Sequence, residues 1–526
     1  MNMKNIVALL LSIIVLGCQT KQKESIAIAE HKNQKPNIIY ILADDLGYGD
    51  VQSFNPVGKI PTPNLNDMSS NGAKFTNAYT SSSVCTPTRY SILTGRYNWR
   101  TELKSFVVSG YSKSLIKQER TTVAEMLKTQ GYHTAFIGKW HLGWDWEITK
   151  EDEKFSRDKL NARPEVDFSK PITNGPNSHG FDYTFGFCGS LDMAPYVYIE
   201  NNQPTMVPTK TTVSVDEKGV WREGVTSDDF NHATVLQDLT DKAVHYIAEN
   251  ANGEAPFFLY FPLPAPHTPI LPTTEFLGKS NTNMYGDFVM QVDDVVRQIR
   301  EALKKQGVSE NTMLVFTSDN GCSPRANFEE LAKVNHNPSY MFRGTKSDIY
   351  EGGLRVPFIV EWPAKVIKNL STDKMISTAD FFATSADIVG YQIEDTEGED
   401  SFSMLPLITG EKDNGIREYT VLHSLDGSFG IRKGNWKLNA CEGSGGWSYP
   451  NHRNIKNENL KLPVMQLYNL KDNIGETKNL ISEHPEIAAE LKAALKKIIL
   501  DGRSTPGAIQ KNDGMEGWTQ IEAIIN

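Results

Sequence analysis

Two acidic pairs close short apolar runs in this 526-residue chain: Asp44-Asp45 follows residues 36–42, and Asp319-Asn320 follows residues 312–317 and Ser318. Carboxylate and amide oxygens are hard ligands, suited to Ca²⁺ or, less well, Mg²⁺, and not to zinc. Cys85-Thr86-Pro87-Thr88-Arg89, continuing to Leu93-Thr94-Gly95-Arg96, offers a second kind of chemistry. Pro87 fits the first turn of a helix, which puts Cys85 at a helix N-terminus, where unpaired N–H groups and the macrodipole favour an anion. Lys139-Trp140-His141, His267 and Lys346-Ser347-Asp348 add two ammonium groups and two imidazoles. The set contains positive charge for anionic oxygens, a proton acceptor and a proton donor.

The elements that must position these groups are legible as strand ends. Residues 36–42 are a continuous β-rich apolar run, as are residues 312–317, and ligands in open α/β sheets gather beyond the carboxyl ends of strands. A helix beginning after Thr121-Thr122 and stopped by Gly131 leads to a strand at 134–137 that delivers Lys139 and His141. A strand at 256–261 delivers Pro266-His267-Thr268-Pro269. Val292, Val295, Val296, Ile299 and Leu303 recur at helical spacing over 287–305. This alternation predicts an α/β fold: a large domain with a central, mostly parallel sheet covered by helices on both faces. After about residue 407 the pattern shifts to short strands at 430–438 and 465–470, a turn at 471–476 and a helix at 485–500. These predict a small C-terminal α+β subdomain with an antiparallel sheet, dividing the chain into 36–415 and 416–526. Residues 162–175 and 201–224 are expected to be loop-rich insertions of the kind that line substrate clefts.

A net charge of −10 argues against a nucleic-acid or anionic-membrane partner. Lys4, an apolar run over residues 6–16, and Val15-Leu16-Gly17-Cys18 form a targeting segment too short to span a bilayer. The small residue before Cys18 resembles a bacterial lipobox, implying a signal peptide at 1–17, lipid on Cys18 and a tether at 18–35. An ordinary signal peptide is the rival. The expected location is that of an exported lipoprotein, periplasmic or at the outer membrane or cell surface, touching the membrane only through its anchor. Of five cysteines, Cys188, Cys322 and Cys441 have no Cys-x-x-Cys spacing and indicate no disulfide framework, one bridge among them staying open.

From Pro36 to the final helix the chain resembles the type I, formylglycine-dependent sulfatases of the alkaline-phosphatase-like superfamily. The resemblance rests on Asn37-Ile38 through Asp44-Asp45-Leu46-Gly47, Cys85 to Arg96, Gly138-Lys139-Trp140-His141-Leu142-Gly143, Pro266-His267-Thr268-Pro269, Ser318-Asp319-Asn320-Gly321 and residues 346–357. Leu467-Tyr468-Asn469-Leu470, Asp472 and Gly475-Glu476 resemble the family's terminal subdomain. The resemblance implies that a maturase oxidises Cys85 to formylglycine, whose hydrate attacks sulfur. It implies that Asp44, Asp45, Asp319, Asn320 and modified Cys85 hold Ca²⁺, and that Arg89 orients the hydrate. Lys139 and Lys346 would clamp sulfate oxygens, His267 would protonate the departing alcohol, and His141 would take the proton that lets sulfate leave.

Thr88 stands where the motif more often has Ser, preserving the hydroxyl. Ser190 is the candidate partner for the sulfate or its lysine. Trp99, Arg100, Trp144, Trp146, Asp192 and Arg343 are candidates for a sugar subsite, because they follow or precede the motifs. The expected substrate is a sulfated oligosaccharide or polysaccharide such as ulvan, carrageenan or chondroitin. Two alternatives stand beside it: a phosphonate monoester or phosphodiester hydrolase of the same superfamily, and a lipoprotein that binds sulfated glycan without turnover. Asn320, where the phosphonate enzymes tend to carry His, favours Ca²⁺ and sulfate.

Overall fold

A computed structural model describes residues 35–153, 160–411 and 414–526. The expected signal peptide, Cys18 and nearly all of the tether lie outside these residues. Five strands form the parallel centre of an eleven-stranded sheet: β1 (Asn37–Ala43), β2 (His133–Lys139), β3 (Tyr183–Phe187), β4 (Phe257–Pro262) and β5 (Thr312–Ser318), in the order β5-β1-β4-β2-β3. Beyond β5 the sheet continues through the antiparallel strand Arg355–Glu361 to Ala73–Tyr79. β1 and β5 are buried almost throughout, which is why they read as unbroken apolar runs. Helices Val235–Asn250, Met284–Gln306 and Pro63–Asn71 pack together as one layer, and Cys85–Thr94, Val123–Thr129 and Phe381–Val389 as another.

The helix expected over 287–305 runs from Met284 to Gln306, capped by the Asn283 side chain and ended by Gly307 at φ 73°. Thr122 and Glu125 form the capping box that starts helix Val123–Thr129. The expectation of loop-rich insertions is corrected at 201–224: strands Lys210–Ser214 and Trp221–Thr226 pair there as an antiparallel hairpin.

The C-terminal unit is a four-stranded antiparallel sheet, Thr420–His423, Phe429–Lys433, Trp436–Ala440 and Gln466–Asn469 in sequential order, with helix Pro485–Leu500 packed on it. Its core takes in Tyr97 and Trp99 from the large domain. Buried polar contacts cross the same boundary: Lys437 pairs with Glu351 at 3.1 Å, and Arg100, paired with Asp400 at 2.7 Å inside the large domain, donates to the Ile498 carbonyl at 3.2 Å. Arg100 is therefore not a sugar ligand. It is wholly buried, forked onto Asp400, hydrogen-bonded to the Ile498 carbonyl and stacked 4.2 Å from the Trp99 ring. Removing one member of such a pair strands a buried charge. Arg100→Ala should accordingly cost about 3–5 kcal/mol of stability, read as a lowered urea midpoint.

Candidate active site

The site is assembled by strand register. Ala43 on β1 pairs with Ser318 on β5, and Leu42 pairs with Pro262 on β4, so Asp44 and Asp319 leave adjacent strands side by side. The Asp319 N–H donates to the Ala43 carbonyl at 3.0 Å, and the Asp45 N–H to Asp319 Oδ1 at 3.2 Å. Lys139 ends β2, beside Phe187 of β3. Gly138 is required before it, since a Cβ there would lie 2.0 Å from the Pro262 carbonyl oxygen.

Cys85 is the first residue of helix Cys85–Thr94 and is 3% exposed. A carboxylate oxygen of Asp44, the Cys85 Sγ and a carboxylate oxygen of Asp319 lie within 4.8 Å of one another, as do ligand atoms of Asp44, Asp45 and His267. Arg89 reaches Asp319 Oδ2 through Nη2 at 2.7 Å and Nε at 3.1 Å, and donates to the Lys139 carbonyl. It braces the carboxylates, and its expected bond to the residue at 85 is not among its contacts here. Lys139 Nζ stands 2.5 Å from Asp44 Oδ2 and 3.1 Å from Ser190 Oγ, and Lys346 Nζ 2.7 Å from Asp45 Oδ1. The Thr88 hydroxyl donates to the Ser82 carbonyl at 2.9 Å, tying the turn before the helix.

Three carboxylates, Asp44, Asp45 and Asp319, thus face three cations, Arg89, Lys139 and Lys346, all nearly solvent-free. Two oxygens are nevertheless left over: Asp44 Oδ1 and Asn320 Oδ1 are buried with no hydrogen-bond partner. The Asn320 amide is oriented by its Nδ2, which donates to Asp45 Oδ1 at 2.7 Å and the Gly321 carbonyl at 3.0 Å. Buried orphaned acceptors of this kind fit a hard cation bound by Asp44, Asp45, Asp319 and Asn320. With the side-chain charges already balanced, a divalent ion would leave the floor positive and ready for an anion.

Burial pushes the Asp319 carboxyl up, reinforced by Asp44. Burial acts on Asp44 in the same direction, but Lys139, His267 and Arg89 outweigh it and hold that carboxyl well below the usual range. Burial pushes the Cys85 thiol up to about 11 against the pull of Lys139 and Lys346, so an unmodified thiol here is protonated and a poor nucleophile. His141 is lowered well below its ordinary value by burial, then by Lys139 and Arg89. Its Nε2 stands 3.0 Å from the Val108 carbonyl, which fixes the proton there, and its buried Nδ1 has no partner. That nitrogen is a ready proton acceptor. His267 Nδ1 stands 2.6 Å from the Thr268 carbonyl, turning Nε2 toward Asp45 at 3.7 Å. Burial and then Lys346 lower His267, and an arriving anion would raise it again.

The cleft above these groups has a volume of about 570 Å³, and Asp192, Arg222, His267 and Lys346 line it. Ser190 joins Lys139 to His267, and Asp192 forms an ion pair with Arg222 at the wall. The remaining sugar-subsite candidates stand elsewhere. Trp99 is in the C-terminal core, and Trp144 and Trp146 pack edge to face in the main core, 1% and 8% exposed. Arg343 lies over the Tyr350 ring and donates to the Glu476 carbonyl. Large aromatic side chains near a motif were drawn into cores because their apolar area dominates. Cys85, Cys188, Cys322 and Cys441 are all free thiols.

Sequence reasoning missed Arg222, which sits in the hairpin expected to be loop, and a buried network under Asp45. Asp45 has φ 65°, and its carbonyl lies 3.2 Å from the Tyr285 hydroxyl. Tyr285 donates to Asp50 Oδ2 at 2.5 Å, the Gly47 N–H donates to the same oxygen at 2.8 Å, and His336 Nε2 meets Asp50 Oδ1 at 2.8 Å. The Lys59 N–H donates to His336 Nδ1, so the ring proton lies on Nε2. No local periodicity could have revealed these partners.

A family model described as Sulfatase matches residues 36–391. The chain belongs to the sulfatase family. It is 33% identical to an N-acetylgalactosamine-6-O-sulfatase of Bacteroides thetaiotaomicron, over 94% of this chain and 99% of the relative. It is 28% identical to arylsulfatase A of Bos taurus over 92% of each. A solved Bacteroides thetaiotaomicron structure, described in connection with the metabolism of multiple glycosaminoglycans, shares 32% identity and a TM-score of 0.76, covering 89% of this chain and 99% of that one. A structure holding a bound neocarrahexaose, at 24% identity and TM-score 0.66, agrees in fold. The sulfatase fold and the hydrolysis of sulfate esters follow from this membership.

Tyr285→Phe leaves a buried carboxylate short of a donor and frees the Asp45 carbonyl. It should cost about 1–3 kcal/mol in urea unfolding and, if the site holds a divalent cation, weaken its binding about 10–100-fold by calorimetry.

Proposed function

We propose that this sulfatase removes the 6-O-sulfate of N-acetylgalactosamine in a sulfated glycosaminoglycan, using Cys85 matured to formylglycine and a Ca²⁺ ion. One observation carries the chemistry. Ligand atoms of Asp44, Cys85 and Asp319 lie within 4.8 Å of one another, Asp44 and Asn320 each keep a buried oxygen without a partner, and Lys139 and Lys346 pair with Asp44 and Asp45 beside them. The likeness over nearly the whole length of an N-acetylgalactosamine-6-O-sulfatase supports the substrate.

Oxidised and hydrated, position 85 supplies two geminal hydroxyls on one carbon, one to attack sulfur and one whose proton is later lost. When bound, a calcium ion would supply positive charge to polarise the hydrate and a sulfate oxygen. Asp44, Asp45, Asp319 and Asn320 would hold that ion, and Arg89 keeps Asp319 and Asp44 aimed. Lys139 and Lys346 neutralise sulfate oxygens in a water-poor floor, where charge interactions are strong. His141 Nδ1 accepts the proton that lets sulfate leave. His267, protonated beside the bound anion, donates to the departing alcohol, with Ser190 holding its ring. The Asp192–Arg222 pair presents a carboxylate and a guanidinium to sugar hydroxyls at the cleft wall.

Among the described residues no helix is long and apolar enough to cross a membrane. On the strength of the N-terminal sequence we propose that Cys18 carries the lipid of an exported lipoprotein.

Peptide mass spectrometry of the active protein should find an aldehyde in place of the Cys85 thiol. Sulfate should be released from 6-O-sulfated but not 4-O-sulfated N-acetylgalactosamine, and not at all by Cys85→Ala. Full activity with an intact thiol would refute the mechanism, and preference for the 4-O-ester would refute the substrate. Chelation should abolish turnover and lower the melting temperature. Calcium restored at 100 times its dissociation constant should return about 2.7 kcal/mol of stability.

A further inference from the structure

We propose that the lip of the cleft carries a second subsite, built by Trp447 and Arg325, that binds an anionic sugar adjoining the sulfated ring. The inference rests on the glycan substrate proposed above and extends it from one sugar to two.

Trp447 belongs to the loop at 441–451 that follows strand Trp436–Ala440 of the C-terminal sheet. Its side chain is 48% exposed and, among the described residues, has no aromatic or cationic partner, although the whole loop around it is pinned. The Trp447 N–H donates to Ser347 Oγ and Asp348 Oδ1, both at 2.9 Å, and the Ser448 N–H to Asp348 Oδ1 at 3.0 Å. Asn451 Nδ2 donates to the Trp447 carbonyl at 2.9 Å. Gly446 lies so close that a Cβ would stand 2.4 Å from the Ser347 carbonyl oxygen. The turn that delivers Lys346 to the sulfate site therefore also fixes the position of this indole. A rigid backbone carrying a half-open aromatic face is arranged for binding, because little entropy remains to be lost when a ligand stacks on it.

The indole lines both the catalytic cleft and the hollow beside it. The catalytic cleft and a neighbouring hollow of about 790 Å³ share one wall, formed by Pro324, Arg325 and Trp447. Among the described residues the Arg325 guanidinium has no carboxylate partner, unlike Lys218 nearby, which is tied to Glu330 at 3.4 Å. Its backbone is set by Ser323, whose hydroxyl accepts the Arg325 N–H at 3.3 Å. Glu217 and Glu329 line the same hollow, and among its described cations Lys218 is paired while Arg325, which shares a wall with the indole, is not. This distribution suits one carboxylate or sulfate on the adjoining sugar, held by the guanidinium while the apolar sugar face lies on Trp447.

The test compares the matured, calcium-loaded full chain on three substrates: 6-O-sulfated N-acetylgalactosamine, its disaccharide with a uronate, and its disaccharide with a neutral hexose. The wild type should prefer the uronate disaccharide. Trp447→Ala should reduce the disaccharide-to-monosaccharide ratio of kcat/KM about tenfold, mainly through KM. Trp447→Tyr, which keeps an aromatic face, should retain most of that ratio. Arg325→Ala should abolish discrimination between uronate and neutral neighbour. Equal efficiency on all three substrates, or unchanged ratios in both alanine variants, overturns the subsite and leaves the sulfatase reading standing. Release from none of the three overturns the proposed substrate and the subsite with it.

Discussion

Everything at the centre of this protein depends on the register of three parallel strands. Because Ala43 lies beside Ser318, two carboxylates emerge together from a sheet whose ends admit almost no water. Such a pair is costly unless neutralised, and Arg89, Lys139 and Lys346 come from three other parts of the chain to do so. The balance is incomplete by two oxygens, those of Asp44 and Asn320. That remainder fits the site to a hard cation, which would in turn suit it to an anionic ester.

The precision of the site is maintained by strain and by buried hydrogen bonds beneath it. Asp45, His141 and Ser347 all hold positive φ, at 65°, 54° and 82°, a conformation that costs an L-residue free energy and persists only when its surroundings enforce it. Each has an enforcer. Tyr285 and Asp50 stand under Asp45, the Cys188 carbonyl accepts the His141 N–H at 2.6 Å, and the Ser83 carbonyl accepts the Ser347 N–H at 2.8 Å. These last two bonds come from the loop after β3 and from the segment that precedes Cys85, so the geometry of the site is held by distant parts of the large domain.

The C-terminal unit is not an appendage. Tyr97 and Trp99 follow the catalytic helix directly and are buried in its core, while Lys437 reaches back to Glu351 beside the catalytic turn. Its loop at 441–451 is bonded to Ser347 and Asp348. Stability of the two units and geometry at the cleft are therefore set by the same contacts.

Much of this was legible in the chain. Unbroken apolar runs ending in acidic pairs marked β1 and β5, since a strand buried on both faces needs apolar residues at every position and its end is where polarity returns. The order of motifs gave the family, and with it Cys85, Lys139, His141, His267 and Lys346 as neighbours. The sequence could not show which residues near those motifs would face the cleft: Trp99, Arg100 and Trp144 went into cores, while Arg222 and Trp447 came from segments without a motif. Nor could it show the Asp50 network, whose partners Tyr285 and His336 lie 235 and 286 residues away. Local sequence determines where strands end because burial imprints a short-range pattern. Which distant side chains meet at those ends was decided only by tertiary packing, because such contacts leave no periodic trace along the chain.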